Sequence, residues 1–322
     1  MYLVDFSSPE FKRLLEGWWY YTIELKPGVF TRGYEFANIA CTRELIRRVN
    51  PTGMDICDIG TMEGVIPILL KRRAARTVVA IDAADSSEKV RLVQHCYGEQ
   101  FEYYPRTSLA HAKDRLTDRA RLSRYTSSMG PEHIQGFDIV VLSGVLYHVF
   151  SPLHVIGLAR TLLKPGGLLI LETAASCQDR YSMNWVFQGN KYIYGSGTNT
   201  WFMTLKFLDH ILRYMKLKPI DCVHGPLSED ATRVAVAAVA VPAPLALRSE
   251  AEWFLPQNMF DYNEVIDVGW AEGYPAEIRY AAGQNFFHAE LDGCVDLHRT
   301  VIKTKAIPDD RGRIILRLED RE

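Results

Sequence analysis

Alternation between short β-branched runs and longer segments of helical spacing constrains this chain more than any other feature. Residues Asp55–Gly60 (DICDIG) form an apolar run ending in a turn, Val65–Ala75 repeats apolar residues at helical spacing, and Thr77–Ile81 (TVVAI) is again β-branched. The pattern resumes with Phe137–Leu142 (FDIVVL), a helical stretch Leu153–Leu163, a Lys164–Gly167 turn (KPGG) and a strand Leu168–Glu172 (LLILE). Strands joined through helices lie parallel, with the helices covering the sheet, so the fold class is α/β. After a helix near Leu205–Met215, Lys218–Val223 and Arg233–Val241 read as two more strands that close the sheet as a hairpin.

The ends of the chain differ from this middle. Residues 1–50 hold an amphipathic start (Phe11, Leu14, Leu15, Trp18, Trp19), a Pro27-Gly28 turn and a second helix at 35–49, and read as a helical cap on a core domain at 51–241. From 242 to 322, aromatic residues among turn formers are followed by alternating segments such as Thr300–Thr304 and Arg313–Leu318, which read as a β-rich extension. Six cysteines are scattered without any C-x-x-C pair, which suits a reducing cytoplasm and buried thiols. A net charge of -2 offers polyanions no general attraction, so a nucleic-acid partner is not expected. Apolar runs such as Val234–Val241 are far shorter than a membrane-spanning helix, and a homodimer stays open.

Chemistry concentrates where the first core strand ends. In Asp58-x-Gly60-x-x-x-Gly64 the glycines allow positive φ and close backbone approach, and the following helix presents free N–H groups to an anionic ligand end. Met62 stands where the dinucleotide motif needs a second glycine, which disfavours a pyrophosphate. Asp82, closing the second strand, suits the hydroxyls of a ribose.

With Phe137–His148 (FDIVVLSGVLYH) and Leu163–Glu172 (LLKPGGLLILE) added to these, the chain resembles class I S-adenosylmethionine-dependent methyltransferases. More narrowly, Leu142–Leu153 (LSGVLYHVFSPL), Leu171–Thr173 (LET) and Trp201-Phe202 resemble the family of the tRNA wobble-uridine carboxymethyltransferase and its small-molecule relatives. Thr22–Gly33 (TIELKPGVFTRG) is similar to an element those relatives carry before the core. The resemblance implies a Rossmann-like, doubly wound, mostly parallel seven-stranded sheet and S-adenosyl-L-methionine as cofactor. It implies cofactor contacts from Asp58, Gly60, Thr61, Gly64, Asp82, Ser143, Gly144, Leu146 and Thr31, with Tyr147 and His148 near the transferred methyl. The loop departs from the commoner glycine-rich pattern by reading Thr61-Met62-Glu63. Nothing in the sequence separates the ordinary cofactor from its carboxylated derivative.

Methyl transfer is an in-line displacement, so the protein aligns the reactants and, where the acceptor requires it, removes a proton. His148 and Glu172 both fall at strand C-termini; His148 can serve as base and Glu172 as base or as the carboxylate that orients a cationic intermediate, with Tyr147 beside them. Glu172 ends an apolar strand and needs a polar partner there, which cofactor, substrate or metal would supply. The insertion 176–204 carries Tyr181, Trp185, Phe187, Tyr192, Tyr194 and Trp201, a wall suited to a flat, hydrophobic or cationic substrate. Trp18–Tyr21 supply the opposite wall. Trp185, Tyr192, Trp201 and Tyr21 are therefore the candidate substrate contacts. Arg106–Arg124 is a basic stretch that reads as a solvated helix face or as a grip on an anionic substrate. No aspartate cluster calls for a metal. The expected function is methylation of a small molecule at oxygen, nitrogen or electron-rich carbon in specialised biosynthesis. The alternatives are a tRNA-modifying enzyme and a non-catalytic binding module.

Overall fold

The computed structural model describes residues 5–33, 39–107, 136–185, 201–228, 230–241, 295–308 and 315–319. Its centre is a sheet built from β3 (Asp55–Ile59), β4 (Thr77–Ile81), β5 (Glu102–Tyr104), β6 (Phe137–Ser143), β7 (Leu163–Ser176), β10 (Leu217–Ser228) and β11 (Ala231–Ala240). The order across the sheet is β10-β11-β7-β6-β3-β4-β5. Strands β5, β4, β3, β6 and β7 run parallel, whereas β11 is antiparallel to both β7 and β10. The path reverses direction between β4 and β6, on either side of β3, and the C-terminal ends of these strands open a crevice there, the usual ligand position in such sheets.

Period-two alternation sends successive strand residues to opposite cores. Ile56, Val78, Val141, Ile170 and Ala237 share one face with the helices α2 (Ala40–Arg48), α3 (Val65–Arg72) and α4 (Ser87–Tyr97). Cys57, Val79, Val140, Leu171 and Val236 share the other with α5 (Pro152–Thr161), α6 (Leu205–Tyr214) and α7 (Leu297–Lys303). Both faces of the sheet are covered, which explains why β3 is buried at every position.

The cap comprises α1 (Pro9–Glu16) and the hairpin β1 (Glu24–Lys26) and β2 (Val29–Phe30). Ser8 starts α1 by accepting the Phe11 N–H at 3.1 Å, with proline at the first helical position. Gly28, at φ 75°, makes the turn of the hairpin. Ile23 bridges to Leu316, and the Tyr97 hydroxyl donates to the Glu24 carbonyl, so the cap is stitched to the far end of the chain and to α4.

Two sequence expectations change. The Lys164–Gly167 turn is an excursion inside β7 rather than its start: Leu163 pairs with Phe137 and Leu168 with Ile139, so a five-residue step faces a two-residue step. Residues 300–303 are the end of α7, because Leu297 and Val301 bury on one helical face. The described part of the second cap helix is Ala40–Arg48. Most of the supposed β-rich extension lies outside the described residues.

Candidate active site

The loop after β3 makes the floor of the crevice. Gly60, Met62 and Gly64 all have positive φ (81°, 51° and 85°), and the Met62 conformation is held because its N–H donates to Asp82 Oδ2 at 2.8 Å. Asp82 Oδ1 accepts the Ala84 N–H at the same distance. Each carboxylate oxygen keeps a second lone pair, so Asp82 can still receive two ribose hydroxyls. A Cβ at Gly64 would stand 2.7 Å from the Phe101 ring, and one at Gly60 2.5 Å from Val145 Cγ2, so the cradle takes no side chain at either position.

Asp58 lies fully buried beside this cradle, and neither of its carboxylate oxygens has a hydrogen-bond partner among the described residues. Thr61 is near enough to favour the ionised form, but its buried hydroxyl also lacks hydrogen-bond geometry. Burial pushes the Asp58 carboxyl up to about 7, against the pull of Thr61. A buried acid without partners is costly in an empty pocket and explicable in one that receives a cation. The ammonium and carboxylate of an amino-acid moiety, set against Asp58 and the α3 N-terminus, fit this donor and acceptor set.

The second half of the site lies at the ends of β6 and β7. Ser143 exchanges a 2.7 Å hydrogen bond with Thr42 of α2, and Gly144 (φ 71°) donates to the Glu172 carbonyl at 3.0 Å. Leu146–His148 form a single 3₁₀ turn that buries Leu146 and Tyr147 and leaves His148 exposed, its ring edge-to-face on Tyr147 at 4.4 Å. Burial raises the Tyr147 phenol well above its ordinary value, so it stands as a neutral hydroxyl. Tyr21 of the cap is buried and raised for the same reason, with Tyr20, Glu63, Asp58 and Tyr147 adding to the effect. Cap and 3₁₀ turn thus bring their tyrosines to one place.

Glu172 has the partner that its sequence context demanded, and that partner belongs to the protein. Arg233 of β11 grips both carboxylate oxygens at 2.8 Å, and its Nη2 also lies 3.3 Å from the Tyr147 hydroxyl. The Glu172 side chain is 1% exposed and that of Arg233 13%. Glu172 was expected to serve as a base or to orient a cationic intermediate, met by cofactor, substrate or metal; the group that meets both of its oxygens is instead the Arg233 guanidinium. The Thr31 hydroxyl donates to the Tyr21 carbonyl and accepts the Ile23 N–H, which fixes the cap backbone around Tyr21.

The aromatic wall stands on the same rim. Met183–Trp185 (β8) pairs antiparallel with Trp201–Thr204 (β9), which lies parallel to β7 at Ala175–Ser176, just beyond Glu172. Trp185 and Trp201 meet edge-to-face at 5.0 Å, Phe150 meets Trp185 at 6.2 Å, and the Trp201 indole donates to the Phe150 carbonyl. Phe150 is 80% exposed and Trp185 46%. Tyr192 lies outside the described residues, as does the basic stretch beyond Thr107, where the described Arg106 pairs with Asp85. Among the described residues no cluster of three or more His, Cys, Asp or Glu side chains is placed to hold a metal.

Residues 34–218, more than half of the chain, match the family model described as a methyltransferase domain, and the chain belongs to that family. The tRNA U34 carboxymethyltransferase of Shewanella loihica is 31% identical over 148 residues, 45% of this chain and 39% of that protein. The ubiquinone biosynthesis O-methyltransferase of Dinoroseobacter shibae is 29% identical over 194 residues, 57% of this chain and 69% of that protein. The chain thus spans about two fifths of the carboxymethyltransferases it matches. In fold it is similar to the N-terminal domain of EvdMO1, solved with S-adenosylhomocysteine bound (TM-score 0.51, 16% identity, 72% of this chain and 94% of that one).

Proposed function

We propose that the enzyme methylates a small, largely apolar acceptor held between the Phe150–Trp185–Trp201 wall and the Tyr20–Tyr21 wall of the cap. The observation that carries this reading is the exposed aromatic ladder on the rim above Glu172. Large apolar rings left in solvent beside a site mark a contact surface, and these support an acceptor that packs against them. When bound, S-adenosylmethionine supplies an electrophilic methyl on sulfur. Asp58, the 60–64 loop and Asp82 would hold it, and the cap would exclude water.

The residues near Gly144 do the remaining work. Tyr147, neutral and hydrogen-bonded to Arg233, offers a fixed hydroxyl to the acceptor, and the Glu172–Arg233 pair keeps it in place. His148, exposed and packed on Tyr147, is the base for an acceptor with a proton to lose. The test is transfer of labelled methyl from S-adenosylmethionine to a panel of aromatic hydroxyls, amines and prenylated phenols, beside bulk tRNA. Labelling of a small acceptor that His148→Ala slows by about 10²-fold or more supports the reading. Labelling of tRNA alone overturns it in favour of RNA modification, the reading that the carboxymethyltransferase relatives support and the net charge of -2 opposes.

A further inference from the structure

Glu63 is a fully buried carboxylate in the cofactor loop, and its contacts are with the cap. Its Oε1 accepts the Tyr20 N–H at 2.8 Å, and the Tyr21 N–H also bears on the carboxylate. Lys89 of α4 stands 3.6 Å away. The same ammonium donates to the Trp18 carbonyl and lies over the rings of Trp18 and Trp19, at 4.8 and 5.3 Å. Trp19 is itself buried and donates to the Leu14 carbonyl of α1. One side chain therefore gathers the backbone at 20–21 directly and the Trp18–Trp19 pair through Lys89.

At its other end the same short loop is fastened by the Met62 N–H to Asp82. Burying a carboxylate costs several kcal/mol unless donors repay it, and burial does raise the Glu63 carboxyl against the pull of Lys89 and the cap amides. A buried charge is an expensive way to join two segments that apolar contacts could hold. It is a good way to fix one against the other in a single register.

We propose that Glu63 is a positioning residue that locks the Tyr20–Tyr21 wall to the cofactor loop, so that filling the cofactor site sets the wall over the acceptor. This rests on the reading of the crevice as the cofactor site. The loop then transmits occupancy at Asp82 to the cap through one residue between two left-handed positions, Met62 and Gly64. Filling the cofactor site then steadies the wall that the Glu63 tie already places, which favours binding of the acceptor after the cofactor and keeps the reactive methyl from water.

Amide hydrogen exchange over residues 18–23, with and without S-adenosylhomocysteine, reads the coupling. In the wild type the ligand slows exchange of the Tyr20 and Tyr21 amides. In Glu63→Ala those amides exchange about tenfold faster without ligand, and the slowing induced by saturating S-adenosylhomocysteine disappears. Glu63→Gln, which keeps an acceptor for Tyr20, restores part of the protection. Lys89→Met, which leaves the loop intact, loosens residues 18–19 most.

Cap exchange in Glu63→Ala within twofold of wild type overturns the proposal. So does faster exchange that extends equally to β3 and β6, which marks loss of the fold rather than of a tie. If the wild type binds no S-adenosylhomocysteine, it is the cofactor reading that falls, and cap exchange without ligand in Lys89→Met and Glu63→Gln still decides whether the tie exists.

Discussion

Replacing Arg233 by methionine leaves the Glu172 carboxylate in a site where it is 1% exposed. Two charge-assisted hydrogen bonds of 2.8 Å are lost, and no water reaches the group to replace them. Two unit charges about 4 Å apart attract by about 4 kcal/mol at an effective dielectric near 20, and stranding one partner of a buried pair costs roughly 3–5 kcal/mol in measured cases. Both routes give a loss of about 4 kcal/mol in unfolding free energy. Arg233→Met/Glu172→Met removes both charges and fills the space with apolar atoms, so most of that loss returns. Urea unfolding of the two variants and the wild type reads the difference from the midpoints at constant slope. A single variant within about 1 kcal/mol of wild type would refute the claim that Arg233 holds Glu172, and would restore Glu172 as a candidate base.

Asp58 makes a prediction about pH. Its carboxyl is raised by burial, so the folded protein binds the proton more tightly than the unfolded chain, and stability of the ligand-free protein falls as pH rises from about 4 to about 7. Asp58→Asn removes that slope. An ammonium placed beside Asp58 favours the ionised form instead, so affinity for S-adenosylhomocysteine rises with pH by up to about tenfold per unit and levels off above about 7; calorimetry across that range that finds no slope counts against the contact. Gly64→Ala forces a Cβ to 2.7 Å from the Phe101 ring at a φ of 85°, and is expected to lower stability by about 1–3 kcal/mol and weaken cofactor binding, read by thermal unfolding with and without ligand. Trp201→Ala removes both a ring contact with Trp185 and the hydrogen bond to Phe150, and should raise the acceptor KM by about tenfold with little change in cofactor affinity, measured by initial rates.

The sheet was legible because its strands are buried on both faces and so read as short continuous apolar, β-branched runs, a signal that each strand carries by itself. Thr77–Ile81 and its neighbours need no knowledge of their partners to be read. Asp58, Gly60, Gly64 and Asp82 were legible for the same reason, since a strand end and the turn after it are local in the chain. Arg233 was not. It is the lone charge in β11, but its meeting with Glu172, 61 residues away in sequence, follows from the antiparallel register that sets Ala235 opposite Glu172. The isolated charge in an apolar strand was the available signal, and it matched an acidic charge within the apolar run of β7, a strand that continues past Glu172 to Ser176 where the sequence suggested an end. Glu63 escaped because its partners, Tyr20 and Lys89, come from the cap and from α4, and a turn residue gives no hint of such docking. Segment 300–304 misled because threonine and valine at alternate positions imitate a strand, whereas the burial of Leu297 and Val301 four residues apart decides for a helix.

The central claim is that the crevice at the ends of β3 and β4 holds S-adenosylmethionine through Asp82 and the loop it fastens. Isothermal titration of the wild type and of Asp82→Ala with S-adenosylhomocysteine tests it most directly. The account predicts one site per chain with micromolar affinity, weakened by about 100-fold or more in Asp82→Ala, which loses both the ribose contacts and the anchor of Met62. Equal affinity in the two proteins, both folded, would contradict it.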